Sequence, residues 1–211
     1  MKFFLILAIL TSTIFAKPIS VKEKKEHFKA LVIPAVNKVY LELQNQYIEM
    51  RHYIGRDHKY YRQTIAKMRK EYNASSNEEL LKRLKPHPRS IAIAQAAMES
   101  AWATSRFYRE ANNIFGVWSF NKNEPRIAAG KKRGSRTIWL KKYYNIEESI
   151  RDYYKTLAKG RAFISFRNLK MKTNDPYKLV KTLDKYSELG SKYAKKLSQV
   201  IRYNKFYLYD K

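Results

Sequence analysis

Between Ser90 and Ser105 the chain reads SIAIAQAAMESAWATS, with alanine at 92, 94, 96, 97, 101 and 103 among Ile91, Ile93, Met98 and Trp102. Alanine is the strongest helix former, and small residues on several faces let neighbours approach closely, so this segment predicts a helix buried tightly inside a bundle. A chain of 211 residues can hold one sizeable core, and such a helix belongs at its centre.

Helical spacing recurs on both sides of it. From Val21 to about Ile54, Phe28, Leu31, Val32, Ala35, Val39, Leu43 and Tyr47 form an apolar stripe, with a kink or break expected at Pro34. A second helix is expected over Lys59 to Tyr72, and a short one from about Asn77, whose side chain can cap it. Ser119 to Lys142 carries Pro125, Gly130, Gly134 and many basic residues before the alternating run Thr137 to Leu140, which reads as a small hairpin lobe. Helical patterning resumes at Ile146 to Leu157, at Pro176 to Leu183 and at Ser191 to Ile201. The first sixteen residues, MKFFLILAILTSTIFA, have a positive start, an apolar run too short to span a bilayer and a small residue at Ala16, the pattern of a cleaved signal peptide. The expected organisation is therefore signal peptide 1–16, helical region 17–85, core 86–171 and C-terminal helices 172–211, in a mainly helical α+β class.

There is no cysteine, which removes disulfides, thiolate metal sites and a cysteine nucleophile. The formal charge of +26 is spread along the whole chain and concentrates anionic polymers near the surface. For an exported protein that favours wall polymers with peptide carboxylates, with anionic membrane headgroups as a second partner, and disfavours nucleic acid. The alternative is a merely solubilising surface.

The four histidines, His27, His52, His58 and His87, all precede the alanine-rich helix; there is no HExxH pair, no Gly-x-Ser-x-Gly elbow and no glycine-rich phosphate loop. Histidine-based hydrolysis, zinc catalysis and nucleotide binding lose support, and no metal or cofactor is expected. What remains is one acid in an apolar place. Glu99 is the only acidic residue between Arg89 and Arg109. Partial desolvation favours the neutral carboxyl and raises its pKa, as a general acid requires, and cleaving an acetal needs a proton delivered to the leaving oxygen. The competing reading is a structural ion pair with Arg106 or Arg109.

The run AIAQAAMESAWATSRFYREANNIFGVW (92–118) resembles the signature of the bacterial peptidoglycan N-acetylglucosaminidases of glycoside hydrolase family 73, in particular its Bax-like branch. Matching positions are Gln95, Glu99, Ser100, Trp102, Ser105, Asn112, Asn113, Phe115, Gly116 and Trp118; the likeness continues through KKYYNIEESIRDYY (141–154) and RAFISFRNLK (161–170), roughly 80 residues in all. Ala103 stands where the family usually carries glycine, a methyl that a helix would tolerate. The resemblance implies a lysozyme-like fold with Glu99 as proton donor. It also implies Asn113 and Phe115 beside the cleft, Trp118 and Trp139 stacking on sugars, and Tyr143 near the reaction centre. Gln95 and Trp102, four and three residues from Glu99, join the expected substrate-contacting set. Glu124 is the only acid between Ser119 and Asn145, so a second carboxylate acting from the lobe must be Glu124; substrate assistance by the acetamido group would need none. The expected activity is cleavage of peptidoglycan glycan strands after N-acetylglucosamine. A lytic transglycosylase on the same fold and a non-catalytic wall-binding protein are the alternatives.

Overall fold

The computed structural model describes residues 19–133 and 136–211; the segment read as a signal peptide lies outside them. Ser20 and Glu23 form a reciprocal capping box that starts α1 (Val21–Tyr53), their bonds measuring 3.2 and 2.7 Å. The expected break at Pro34 does not occur. Pro34 and Ala30 are exposed, so the carbonyl that loses its partner can turn to water, while Val32, Ile33, Ala35 and Val36 hold the helix against the core. Next come α2 (Lys59–Tyr72) and α3 (Asn77–Leu84). The cap of α3 is Ser76 and not Asn77: Ser76 has extended backbone and its hydroxyl accepts the Glu79 amide at 3.1 Å, whereas Asn77 already sits in the first turn.

The alanine-rich segment forms α4 (Arg89–Glu99), in which every residue from Ser90 to Ala97 is buried. Its N-cap, Pro88, offers no side-chain acceptor, and Asp210 at the far end of the chain serves instead, taking the Ser90 amide at 2.8 Å and its hydroxyl at 2.6 Å. Then follow α5 (Arg106–Ala111), strands β1 (Arg126–Arg133) and β2 (Arg136–Lys141), α6 (Ile146–Lys159), α7 (Ile164–Lys170), α8 (Pro176–Leu179) and α9 (Ser191–Tyr203), with short 3₁₀ turns between and after the last helices. The expected hairpin lobe is present: the strands pair antiparallel, Ile127 opposite Leu140 and Ala128 opposite Trp139, with a register irregularity between Ala128 and Lys132. Among the described residues the fold is thus mainly helical with one small two-stranded sheet.

One hydrophobic core joins Phe28, Val32 and Val36 of α1 to α4, to Ile150, Tyr153 and Leu157 of α6, to Leu197 and Ile201 of α9, and to Phe206. It crosses both boundaries drawn around residues 86–171. A smaller cluster, with Met50, Met68 and Leu80 at its centre, fastens α2 and α3 under the end of α1. No helix among the described residues is long and apolar enough to cross a membrane.

Candidate active site

Glu99 is the last residue of α4, where the buried helix reaches solvent. Its side chain is exposed on one side, yet the protein around it pushes its carboxyl pKa up, an effect partly offset by a hydrogen bond from Tyr193. The two observations agree for a carboxyl with one open side and protein on the others. Among the described residues it has no ion pair: Arg106 bonds to Glu110 at 2.8 Å and to the Ala128 carbonyl. The structural ion-pair reading therefore has no partner.

Three buried side chains connect to that carboxyl in one direction. Tyr153 donates to Gln95 Oε1 at 2.5 Å, Gln95 Nε2 donates to the Tyr193 oxygen at 3.0 Å, and Tyr193 donates to Glu99 Oε1 at 2.8 Å. The amide can give a proton only from its nitrogen, so with Oε1 occupied by Tyr153 its NH₂ meets the Tyr193 oxygen and the Tyr193 hydrogen goes to Glu99. Burial, with Tyr186 and Glu99 nearby, pushes the Tyr193 phenol far up, which keeps it a donor. With Oε1 occupied by this bond, the acidic proton of a neutral Glu99 sits on Oε2. Gln95 is wholly buried, so it reaches the site through Tyr193 and not by touching a ligand.

Beyond Glu99 the helix does not continue. Ala101, Trp102 and Ala103 have φ of 51°, 63° and 60°, three consecutive left-handed residues. Ser100 holds this turn, its hydroxyl donating to the Ala96 carbonyl at 2.6 Å and accepting the Ala103 amide at 2.7 Å. Ala103 is therefore not a helical position: it sits, buried, where the backbone favours glycine. The turn sends Trp102 inward, edge-on to Phe28 at 5.2 Å, with the Lys25 ammonium over its ring at 4.8 Å.

The NNIFG run is a set of braces. Asn112 ends α5 in the left-handed region and its amide reaches the carbonyls of Tyr143 and Tyr144, each at 3.1 Å. Asn113, buried, donates to the carbonyls of Val117 and Lys141 and accepts the Val117 amide, all at 2.9 Å, which ties the loop to β2. Phe115 stacks on Tyr153 at 4.0 Å, and Gly116 takes a φ of 66° that its lack of a Cβ permits. Asn113 and Phe115 thus fix the loop beside Glu99's support. Trp118 is 43% exposed with Phe120 beside it; Trp139 lies under the Arg126 guanidinium at 4.3 Å.

Glu124 and Tyr143 come together, but with each other's neighbours and not with Glu99. The Ser119 hydroxyl donates to Glu124 Oε1 at 2.7 Å, and Lys141 lies 3.8 Å from Oε2. Tyr143 and Lys141 both donate to Asp152 Oδ2, at 2.7 and 2.9 Å. Burial and that carboxylate push the Tyr143 phenol far up. Glu124, Lys141, Tyr143 and Asp152 line a cavity of about 530 Å³ between the lobe, α6 and the α1–α2 extension, and no residue of the Tyr153–Gln95–Tyr193–Glu99 chain lines it. The described residues contain no cluster of His, Cys, Asp and Glu arranged to hold a metal.

Residues 74–206, more than half of the chain, match the Glucosaminidase family, described as mannosyl-glycoprotein endo-β-N-acetylglucosaminidase. The chain belongs to the glucosaminidase family. The Protein bax of Escherichia coli (strain K12) is 34% identical over 88 residues, 42% of this chain and 30% of that protein, so the match spans under a third of the relative's length. Among solved structures, the catalytic domain of the autolysin Auto from Listeria monocytogenes is similar at a TM-score of 0.48 with 19% identity, covering 92% of this chain and 100% of that one. The glycoside hydrolase domain of FlgJ from Salmonella typhimurium is similar at 0.46 with 24% identity, covering 64% and 87%.

The glucosaminidase match takes in α4 with Glu99, the braced loop, the lobe, and α9 with Tyr193; α1 and α2 precede it. The family resemblance points to Tyr143, whereas no sequence motif marks Tyr193 or Tyr153 as part of the site. The signal for Tyr193 was weak: it is one of seventeen tyrosines and stands 94 residues from Glu99, and only the packing of α9 on α4 brings its hydroxyl there.

Proposed function

We propose that this glucosaminidase is an exported peptidoglycan hydrolase that cleaves the glycan strand after N-acetylglucosamine, with Glu99 as its general acid. The observation that carries the reading is the Glu99 carboxyl itself: on the family's buried helix, open to solvent, without an ion-pair partner among the described residues, and raised in pKa by its surroundings. In this reading Oε2 gives its proton to the leaving glycosidic oxygen. As it does so, charge develops on the carboxylate, and the Tyr193 hydrogen bond to Oε1 strengthens with it, stabilising the transition state more than the ground state. Glu124, fixed by Ser119 on the lobe, is the carboxylate that faces the positive sugar or its water. The overall charge of +26 suits a polymer rich in peptide carboxylates, and a signal-like first segment suits a substrate outside the cytoplasm.

Digestion of purified sacculi by Glu99→Gln and Glu124→Gln tests this. Glu99→Gln keeps shape and hydrogen bonding, and is expected to fold and bind sacculi as wild type does while losing roughly a hundredfold in turnover. Glu124→Gln should lower turnover more than binding. Products ending in reducing N-acetylglucosamine support the reading. Anhydro-muramic ends would assign a lytic transglycosylase, and sacculi that are bound but never cleaved would leave a wall-binding protein.

A further inference from the structure

The cavity beside the lobe is chemically unlike the rest of the molecule. The chain has 44 Lys and Arg against 18 Asp and Glu, yet this cavity is lined by five carboxylates and four cations. Two ion pairs form its outer wall and clamp the N-terminal extension to α6: Glu42 with Arg151 and Glu71 with Lys155, each at 2.8 Å. Asp152 is engaged by Lys141 and Tyr143.

What remains unmatched defines the ligand. Glu124 Oε2 lies 3.8 Å from Lys141, too far for a hydrogen bond, and Glu148 uses one oxygen on the Tyr144 amide at 2.9 Å. Lys142, also on the wall, has no carboxylate partner among the described residues. Two carboxylates with spare lone pairs and a lysine without a carboxylate partner among the described residues therefore line about 530 Å³ of space, a volume typical of small-ligand sites. A polyanion would meet five carboxylates, and a bare sugar would leave these charges unanswered. A ligand with both an ammonium and a carboxylate answers both.

We infer that this cavity holds a zwitterionic segment of peptide, the stem peptide that hangs from the glycan strand. The ammonium of the peptide lies against Glu148 and its carboxylate against Lys142, while Glu124 keeps its proposed place in catalysis. The inference rests on the peptidoglycan reading for the identity of the peptide, but not on catalysis, because Glu99 lies outside the cavity lining. The extension supplies Glu42, Leu43, Gln46, Glu71 and Tyr72, so the site exists only where α1 and α2 accompany the glucosaminidase domain.

The test is calorimetric titration of full-length Glu99→Gln protein with a synthetic stem tetrapeptide carrying a free side-chain ammonium and a free C-terminal carboxylate. Three further ligands accompany it: the same peptide acetylated on its amines, the same peptide amidated at its carboxylates, and glycan strands stripped of peptide. Saturable binding of the free peptide is expected, about tenfold weaker after either block, the scale of one lost charged contact. Adding Lys142→Met should weaken the free peptide about tenfold yet leave the amidated one unchanged, since its partner is already gone. Lys142 is exposed and the substitution keeps its aliphatic stem, so folding is preserved; Gln46→Trp, which fills the cavity, is a second block checked by its melting curve. No saturable peptide binding, or equal binding of free and blocked peptides, overturns the inference. If sacculi are cleaved and stripped glycan binds while the peptide does not, the inference fails and the proposed function stands; peptide binding without any cleavage does the reverse.

Discussion

At the scale of single residues, two opposed effects act on Glu99: desolvation raises its pKa and the Tyr193 hydrogen bond lowers it, with desolvation the larger. Tyr193→Phe removes the lowering effect and keeps the ring that stacks on Tyr186 at 5.5 Å. The folded pKa of Glu99 must then rise further. A general acid works in its protonated form, so the alkaline limb of the kcat/KM profile is expected to move to higher pH, while kcat falls because the forming carboxylate has lost its donor. A limb that stays in place would show that Tyr193 does not touch the working acid. Glu99 could be singled out in the sequence because a lone acid in an apolar run is a local signal, which the family resemblance reinforces. Its support could not, because Tyr153, Gln95 and Tyr193 meet across separations of 58 and 98 residues and no local pattern marks either contact.

At the scale of elements, helix periodicity located α2, α6 and α9 closely, since each has one apolar face. It carried α4 too far. Alanine, serine and tryptophan after Glu99 are all acceptable in a helix, and what ends it is the Ser100 hydroxyl, which competes for the backbone and starts the left-handed turn. That turn gives different expectations for two alanines. A left-handed non-glycine residue costs roughly 1–2 kcal/mol, and glycine gives back about 0.4–1 kcal/mol through the unfolded chain. Ala101 is exposed, so Ala101→Gly is expected to stabilise by about 0.5–1 kcal/mol, a rise of roughly 2 °C in Tm for a domain of this size. Ala103 is 6% exposed, and removing its methyl forfeits a further ~0.8 kcal/mol of burial, so Ala103→Gly should be close to neutral. Thermal melts of the two variants decide it; a lower Tm for Ala101→Gly would refute the account of strain. The same comparison explains how this chain carries alanine at a left-handed position: packing offsets the backbone cost.

At the scale of the whole molecule, the class was legible because it follows from element types, whereas the unity of the core was not. Boundaries drawn at 85/86 and 171/172 followed prolines and motif ends, but Phe28, Ile150, Leu197 and Phe206 pack into one cluster across them. Charge is the other property of the whole chain. The excess of cations is distributed over the surface, while the acids gather disproportionately around the cavity beside the lobe. Long-range attraction to an anionic polymer and local recognition of a zwitterion are therefore separable, because salt screens the first far more than the second. Raising ionic strength from 0.1 to 1 M shortens the screening length from about 10 to about 3 Å, which removes the summed field but leaves contacts at hydrogen-bond distance largely intact. Sacculus pull-down over that range is expected to show binding that falls steeply and then levels off at a plateau set by short-range contacts. Calorimetry with the free tetrapeptide should change little over the same range. Sacculus binding that does not respond to salt would mean that sugar and peptide contacts alone hold the enzyme on the wall, and that the charge of +26 serves solubility instead of capture.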